Sequence, residues 1–157
     1  MAKTHHFKNF SVVKSGIEIK IDMSRMERNF NNAQYALDSA IMTSMEPFMP
    51  LDGPGNFIGR TKAESASLAG TGVVVAAAGP YGRFLYEGKT MVDEKTGSPW
   101  ARKSANKVPV SQYRGKTQAK ENLTYSRASA QANWFDAAKA KDCDNWVDLV
   151  KKEIGKP

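Results

Sequence analysis

The sequence predicts an α+β fold: a small antiparallel sheet packed by a long N-terminal helix and C-terminal helices, with a long basic arm or loop. Three observations predict it. Ile17, Ile19 and Ile21 alternate with Glu18, Lys20 and Asp22, the period of two of a strand with one buried face. Met26, Phe30, Ala33, Leu37, Ile41, Ser44 and Phe48 recur at spacings of four and three, the period of an amphipathic helix. Residues 89–127 hold nine Lys and Arg against three Asp and Glu, with little periodicity of either kind.

Taken in order, Phe7 to Asp22 reads as two short strands around a turn at Lys14-Ser15-Gly16. The long helix that follows opens on Ser24-Arg25-Met26-Glu27, which fits a capping box: the serine side chain accepts from the Glu27 amide while Glu27 reaches back. Pro47 and Pro50 end it. Methionines 23, 26, 42 and 45 read as core filling, the alternative being an adaptable binding groove. Pro50 to Gly59 is a turn region. Arg60 to Leu68 and Gly72 to Ala78 read as strands joined at Ala69-Gly70-Thr71-Gly72. The second of them is apolar on both faces, which predicts a central strand covered on both sides, and its alanines predict a closely packed helix.

Gly79-Pro80 stops that strand, and Tyr81 to Gly88 reads as a short helix closed by glycine. Lys89 to Ala132 is a polar, basic loop or arm, with a β-arm around Lys107 to Tyr113. A short helix over Asn133 to Lys141 and a last helix capped by Asp142 or Asp144 complete the chain. Lys151 and Lys152 sit at the end of that last helix, where they complement its dipole. Phe30, Leu37, Ile41, Phe84, Trp134, Phe135 and Trp146 are the expected core or subunit-packing residues.

A length of 157 residues fits one domain, 1–157, with 89–132 as an extended loop or arm within it. The single cysteine, Cys143, excludes an intrachain disulfide framework. The first ten residues lack the apolar core of a signal peptide, and Val73 to Ala78, the longest apolar run, is far too short to cross a bilayer. The expectation is a soluble protein of a reducing cytosol that engages no membrane.

Catalytic signatures fail on chemistry. Gly88-Lys89-Thr90 resembles the end of a phosphate loop, but five bulky residues separate Gly82 from Gly88 where four are required. Gly53-Pro54-Gly55 is no dinucleotide fingerprint, because Pro54 removes an amide that phosphate would need. His5 and His6 are adjacent, and with Cys143 they supply no zinc spacing. The carboxylates of the first 88 residues are scattered among partners of opposite charge. No catalytic residue, cofactor or metal ligand is predicted.

What stands out is charge. The net is +7, made of +1 over residues 1–88, +6 over 89–127 and 0 over 128–157. Lys89, Arg102, Lys103, Lys107, Arg114, Lys116, Lys120 and Arg127 are the candidate contacts to DNA or to an acidic partner, with Trp100, Tyr113 and Tyr125 among them. No helix-turn-helix, zinc-finger or single-strand-binding signature accompanies them, so any nucleic acid is passed without reading its sequence. A non-sequence-specific nucleic-acid binder is one reading of such a segment, and a small hydrolase with a dispersed carboxylate site is another.

The order of several motifs carries a family resemblance over residues 17–152. Ile21-Asp22-Met23-Ser24 leads into the helix with Gln34-Tyr35-Ala36-Leu37, followed by Phe48-Met49-Pro50-Leu51-Asp52. Gly79-Pro80-Tyr81-Gly82-Arg83-Phe84-Leu85-Tyr86-Glu87-Gly88 comes next, then Trp134-Phe135-Asp136-Ala137-Ala138-Lys139 and Asp144-Asn145-Trp146. This order resembles the minor capsid proteins of tailed phages of Gram-positive bacteria and, more distantly, the tail-completion (head–tail joining) proteins of long-tailed phages. The family pattern Pro-x-Asp-Thr-Gly-x-Leu is met at Pro50-Leu51-Asp52. Gly53-Pro54 replaces the threonine before Gly55, and Phe57 takes the apolar place, which predicts a longer turn.

The resemblance implies a structural virion protein of the neck, assembled in the host cytoplasm, with no enzymatic activity and no cofactor. It implies a six- or twelve-fold ring of copies around the DNA channel. Its neighbours would be portal or adaptor proteins on one side and tail-terminator or tail-tube proteins on the other, with non-specific contact to packaged DNA.

Overall fold

The structure is a computed structural model that describes residues 6–51, 56–79, 81–100 and 102–156. His5, the Gly53-Pro54-Gly55 turn and Pro80 lie outside the described residues. The fold is α+β, with two separate two-stranded antiparallel sheets and four α-helices among the described residues.

Strands β1 (Phe10–Lys14) and β2 (Ile17–Ile21) pair with Lys14 opposite Ile17, leaving Ser15-Gly16 as a two-residue turn. Both turn residues have positive φ, 53° and 82°, as the primed hairpin turn demands. Phe10 faces Ile21 and Val12 faces Ile19, so the alternation does sort the apolar side chains onto one face. That face is not buried, contrary to the expectation of a half-buried strand. Phe10, Val12, Ile17, Ile19 and Ile21 are 38–65% exposed. Among the described residues only the base of the hairpin is tied down, where the Met23 amide donates to Asn9 Oδ1 (2.7 Å) and Phe7 packs edge-on to Phe30 (5.1 Å).

Helix α1 (Ser24–Met45) opens without the expected capping box. The Ser24 amide donates to Asp22 Oδ1 (2.9 Å), the Glu27 amide donates to the Met23 carbonyl (2.9 Å), and the serine side chain caps nothing. A 3₁₀ turn, Glu46–Phe48, carries Pro47 and ends the helical run. The buried face is rotated slightly from the expected stripe: Met42, Met45 and Met49 are in the core, while Met26 stands exposed.

Where a strand was expected over 60–68, the chain forms helix α2 (Phe57–Leu68). Asn56, in the left-handed region, caps it by accepting from the Gly59 amide (3.2 Å). Arg60, Lys62, Ala63, Glu64, Ala66 and Leu68 are good helix formers, and here propensity and cap outweigh a weak alternation.

Residues 72–78 are likewise not a strand. Side chains replace the ladder that a sheet would have provided. Ser65 Oγ accepts from the Val75 amide and donates to its carbonyl, both at 2.9 Å, and Thr61 Oγ1 accepts from the Ala78 amide (3.1 Å). Trp134 Nε1 donates to the Ala76 carbonyl (2.8 Å). The alanines do permit the close helix approach they predicted, because Thr61 and Ser65 are buried on the α2 face turned toward them.

Helix α3 (Gly82–Glu87) ends at Gly88, whose φ of 69° closes it as expected. The C-terminal region is one helix, α4 (Trp134–Ile154), not two. No Gly or Pro interrupts residues 134–154, so Asp142 and Asp144 have no break to cap. Trp134, Ala138 and Trp146 lie on its buried face, at spacings that keep one face only if the helix is continuous.

Helices α1 and α4 pack antiparallel. Asn29, near the start of α1, donates to the carbonyls of Ile154 (3.0 Å) and Lys156 (2.8 Å) at the end of α4. Trp134 is the centre of the core at 0% exposure, edge-on to Phe57 (5.9 Å) and Tyr86 (4.8 Å). Trp146 is buried with its Nε1 on Ser44 Oγ (3.2 Å) and stacks on Phe135 (6.3 Å). Leu37, Ile41 and Phe135 are half-buried against this core. Phe30 sits apart with Phe7, and Phe84 turns toward the basic segment.

Candidate functional site: a basic groove with an outward tryptophan

The basic segment is folded against the body along much of its length. Strand β3 (Met91–Asp93) pairs antiparallel with β4 (Lys107–Pro109); of the β-arm expected around Lys107 to Tyr113 only β4 is strand, and a 3₁₀ turn, Val110–Gln112, follows it. Lys89 bridges to Asn122, and the Leu123 amide donates to the Gly88 carbonyl (2.8 Å). Further on, the Tyr125 hydroxyl donates to the Leu85 carbonyl, Ser129 Oγ to the Pro47 carbonyl (2.7 Å) and the Gln131 amide to the Phe48 carbonyl (3.1 Å). Contacts spread this widely make the segment a ledge on the body and not a free arm.

Asp93 organises the part of this ledge that carries the site. It is fully buried and accepts from the amides of Lys95 (2.8 Å) and Thr96 (3.1 Å). Arg102 Nε and Nη2 reach its two oxygens at 3.1 and 3.2 Å. The Arg102 guanidinium, helped by those amides, holds the Asp93 carboxyl well below the usual carboxylate range, against the opposing effect of burial. The same pairing raises the Arg102 pKa. The loop so closed is also held at Gly97, whose carbonyl accepts from Thr117 Oγ1 (2.6 Å) and whose missing Cβ leaves room for the Tyr113 ring.

On the outside of this loop lies an open groove of about 730 Å³. Tyr81, Phe84 and Met91 line one part, and Pro99, Trp100, Arg102, Lys103 and Lys107 another. Trp100 is 86% exposed and Tyr81 64%. No carboxylate lines the groove among the described residues, although three cations do.

The eight predicted cations divide by what they touch. Arg102, Lys103 and Lys107 come together in the groove. Arg102 is held by Asp93, Lys107 Nζ donates only to the neutral Pro99 carbonyl (3.1 Å), and Lys103 has no partner among the described residues. Arg114, Lys116 and Lys120 are exposed and make no ion pair among the described residues. Lys89 is engaged by Glu121 (3.7 Å) and Asn122, and Arg127 donates to the Glu46 carbonyl (3.0 Å) as a structural tie.

Of the three aromatics interleaved with these cations, Tyr113 and Tyr125 fill internal space and only Trp100 stands out. Tyr81 and Met91 belong to the groove and were not predicted.

Other chemistry is sparse. Among the described residues no three His, Cys, Asp or Glu side chains come close enough to hold a metal ion. Glu46 pairs with Lys62 and Glu87 with Arg83, so these two carboxylates remain separate, each with its own cation. Among the described residues no helix is long and apolar enough to cross a membrane. No protein family, curated protein or solved structure matches this chain.

Proposed function

We propose that this chain is a structural assembly protein that acts by contact and not by catalysis. It is a minor capsid or tail-completion component of a phage neck, forming a ring that joins the portal side of the head to the tail around the DNA channel. The observation that carries the proposal is the bare apolar face of the β1–β2 hairpin. An isolated two-stranded hairpin is marginal in water, and a contiguous apolar patch of this kind marks an interaction surface. When the hairpin of one copy seats on a different surface of the next, the contact is heterologous and can close into a ring. The order of motifs over residues 17–152 supports placement at the neck, and the cations at 103, 114, 116 and 120, which make no ion pair among the described residues, suit a face turned to DNA or to an acidic neighbouring ring.

Electron microscopy of lysates from a particle-producing strain lacking this gene tests the proposal. Filled heads and finished tails lying unjoined are expected. Normal infectious particles would overturn it.

A second reading, a non-sequence-specific nucleic-acid binder, is favoured by one observation: an outward tryptophan beside lysines in a groove that no carboxylate lines among the described residues. Retention on DNA cellulose at physiological salt, falling steeply as salt rises, is its signature.

A further inference from the structure

We infer that the groove between Tyr81 and Trp100 binds unpaired nucleic acid, with a base stacked on the Trp100 indole and flanking phosphates held by Lys103 and Lys107. The inference rests on the nucleic-acid reading of the groove and is independent of placement at the neck.

Trp100 is held as a platform, not as a loose end. Its amide donates to Ser98 Oγ (3.1 Å), and the Pro99 carbonyl before it accepts from Lys107 Nζ (3.1 Å). The Asp93 carbonyl accepts from the Gly97 amide (2.9 Å), and the Ser98 carbonyl accepts from the Asp93 amide (2.8 Å). The indole is therefore fixed at its root and bare at its face, which lowers the ordering cost of stacking a flat ligand on it. The other two tryptophans, Trp134 and Trp146, are buried.

Charge and shape select the ligand. Cations without a carboxylate favour a polyanion. An acidic protein surface would be met by the lysines alone and would leave the indole without a partner. In a duplex the base faces are already stacked on one another, whereas every base of a single strand offers a free face. The groove, about 730 Å³ and open, has room for a stacked base with its sugar and phosphate.

The burial pattern supplies the probe, because Trp100 is the one tryptophan that a stacked base can quench. The full chain is titrated with oligo(dT) and with a duplex of equal length, following tryptophan emission at low and physiological salt. Oligo(dT) is expected to quench the solvent-exposed emission and to bind more tightly than the duplex. Trp100→Ala should lose the quenching and weaken binding roughly 5- to 150-fold, the range expected for one base–aromatic stack. Trp100→Phe should recover part of that affinity. Lys103→Glu should weaken binding and flatten its salt dependence while leaving the quenching at saturation. Unchanged Trp134 and Trp146 emission in the variants shows that the fold is kept. Equal binding of duplex and single strand without quenching would overturn the stacking inference while leaving the nucleic-acid reading intact. Failure of both to bind at low salt would overturn the two together.

Discussion

Arg102 grips Asp93 with two nitrogens across nine positions of chain, Nε 3.1 Å from one carboxylate oxygen and Nη2 3.2 Å from the other. The Asp93 side chain is buried, yet that of Arg102 is more than half exposed, so one ion pair joins the interior of the ledge to the wall of the groove. Asp93→Asn should therefore release the loop that presents Trp100. Amide exchange at Lys95 and Thr96 should accelerate, and the melting temperature should fall by several degrees. Arg102→Lys should reproduce much of the loss, because an ammonium cannot form the two-pronged contact.

The same pair sets an acid response. The folded-state pKa of Asp93 is depressed, so its contribution to stability is fully present above the ordinary carboxylate value of about 4. That contribution is lost as pH falls from there through the lower folded value. Exchange at Lys95 and Thr96 should rise in that acid range beyond its intrinsic pH dependence, and Asp93→Asn should abolish this component.

Ser65 serves both polar groups of Val75 with one hydroxyl. Ser65→Ala leaves a donor and an acceptor unpartnered and should cost about 1–3 kcal/mol in urea denaturation. Ser67→Ala, on the exposed side of the same helix, should stay within about 0.5 kcal/mol of the parent.

Trp134→Ala should cost about 3–5 kcal/mol, since it removes the ring shared by Phe57 and Tyr86. Trp134→Phe keeps a ring but strips the Ala76 carbonyl of its donor, and should cost about 1–3 kcal/mol.

Ile19→Ser and Val12→Ser should leave the melting temperature of the dilute chain almost unchanged, because both side chains already face water. Under the assembly proposal they should abolish self-association in analytical ultracentrifugation. Self-association that survives both substitutions would show that the hairpin face is not the contact.

Charge reversal of Lys103, Lys107, Arg114 and Lys116 should weaken head–tail joining, most strongly at low salt and less as salt screens the charges; unchanged joining would overturn a role for the basic face. Arg127→Ala should instead lower stability, because its guanidinium ties residue 127 to the Glu46 carbonyl.

Much of the local chemistry was legible in the sequence, but not the start of α1, where the Ser24 side chain caps nothing, nor α2, where propensity and the Asn56 cap outweigh a weak alternation. Ser15-Gly16 specified the hairpin turn, Gly88 the end of α3, and the spacing of four and three the course of α1. The other misread elements are decided from a distance. The run from Val73 to Ala78 has the composition of a strand, but Ser65, Thr61 and Trp134 saturate its backbone, and no sheet is needed. Asp142 and Asp144 look like caps, but the core contacts of Trp134, Ala138 and Trp146 select one unbroken helix. In the groove, the sequence marked the charges and Trp100 but not Tyr81.

The sequence by itself determined the α+β class, the single basic segment and the lack of any recognisable catalytic motif, because composition and short-range periodicity are properties of the chain alone. Only the tertiary structure decided which cations remain unpaired, which aromatic faces outward and which apolar face stays bare. Each of those depends on a partner distant along the chain: Asp93 for Arg102, Glu46 for Arg127, Leu85 for Tyr125. A charge or a ring is available for binding only when folding has given it nothing closer to touch.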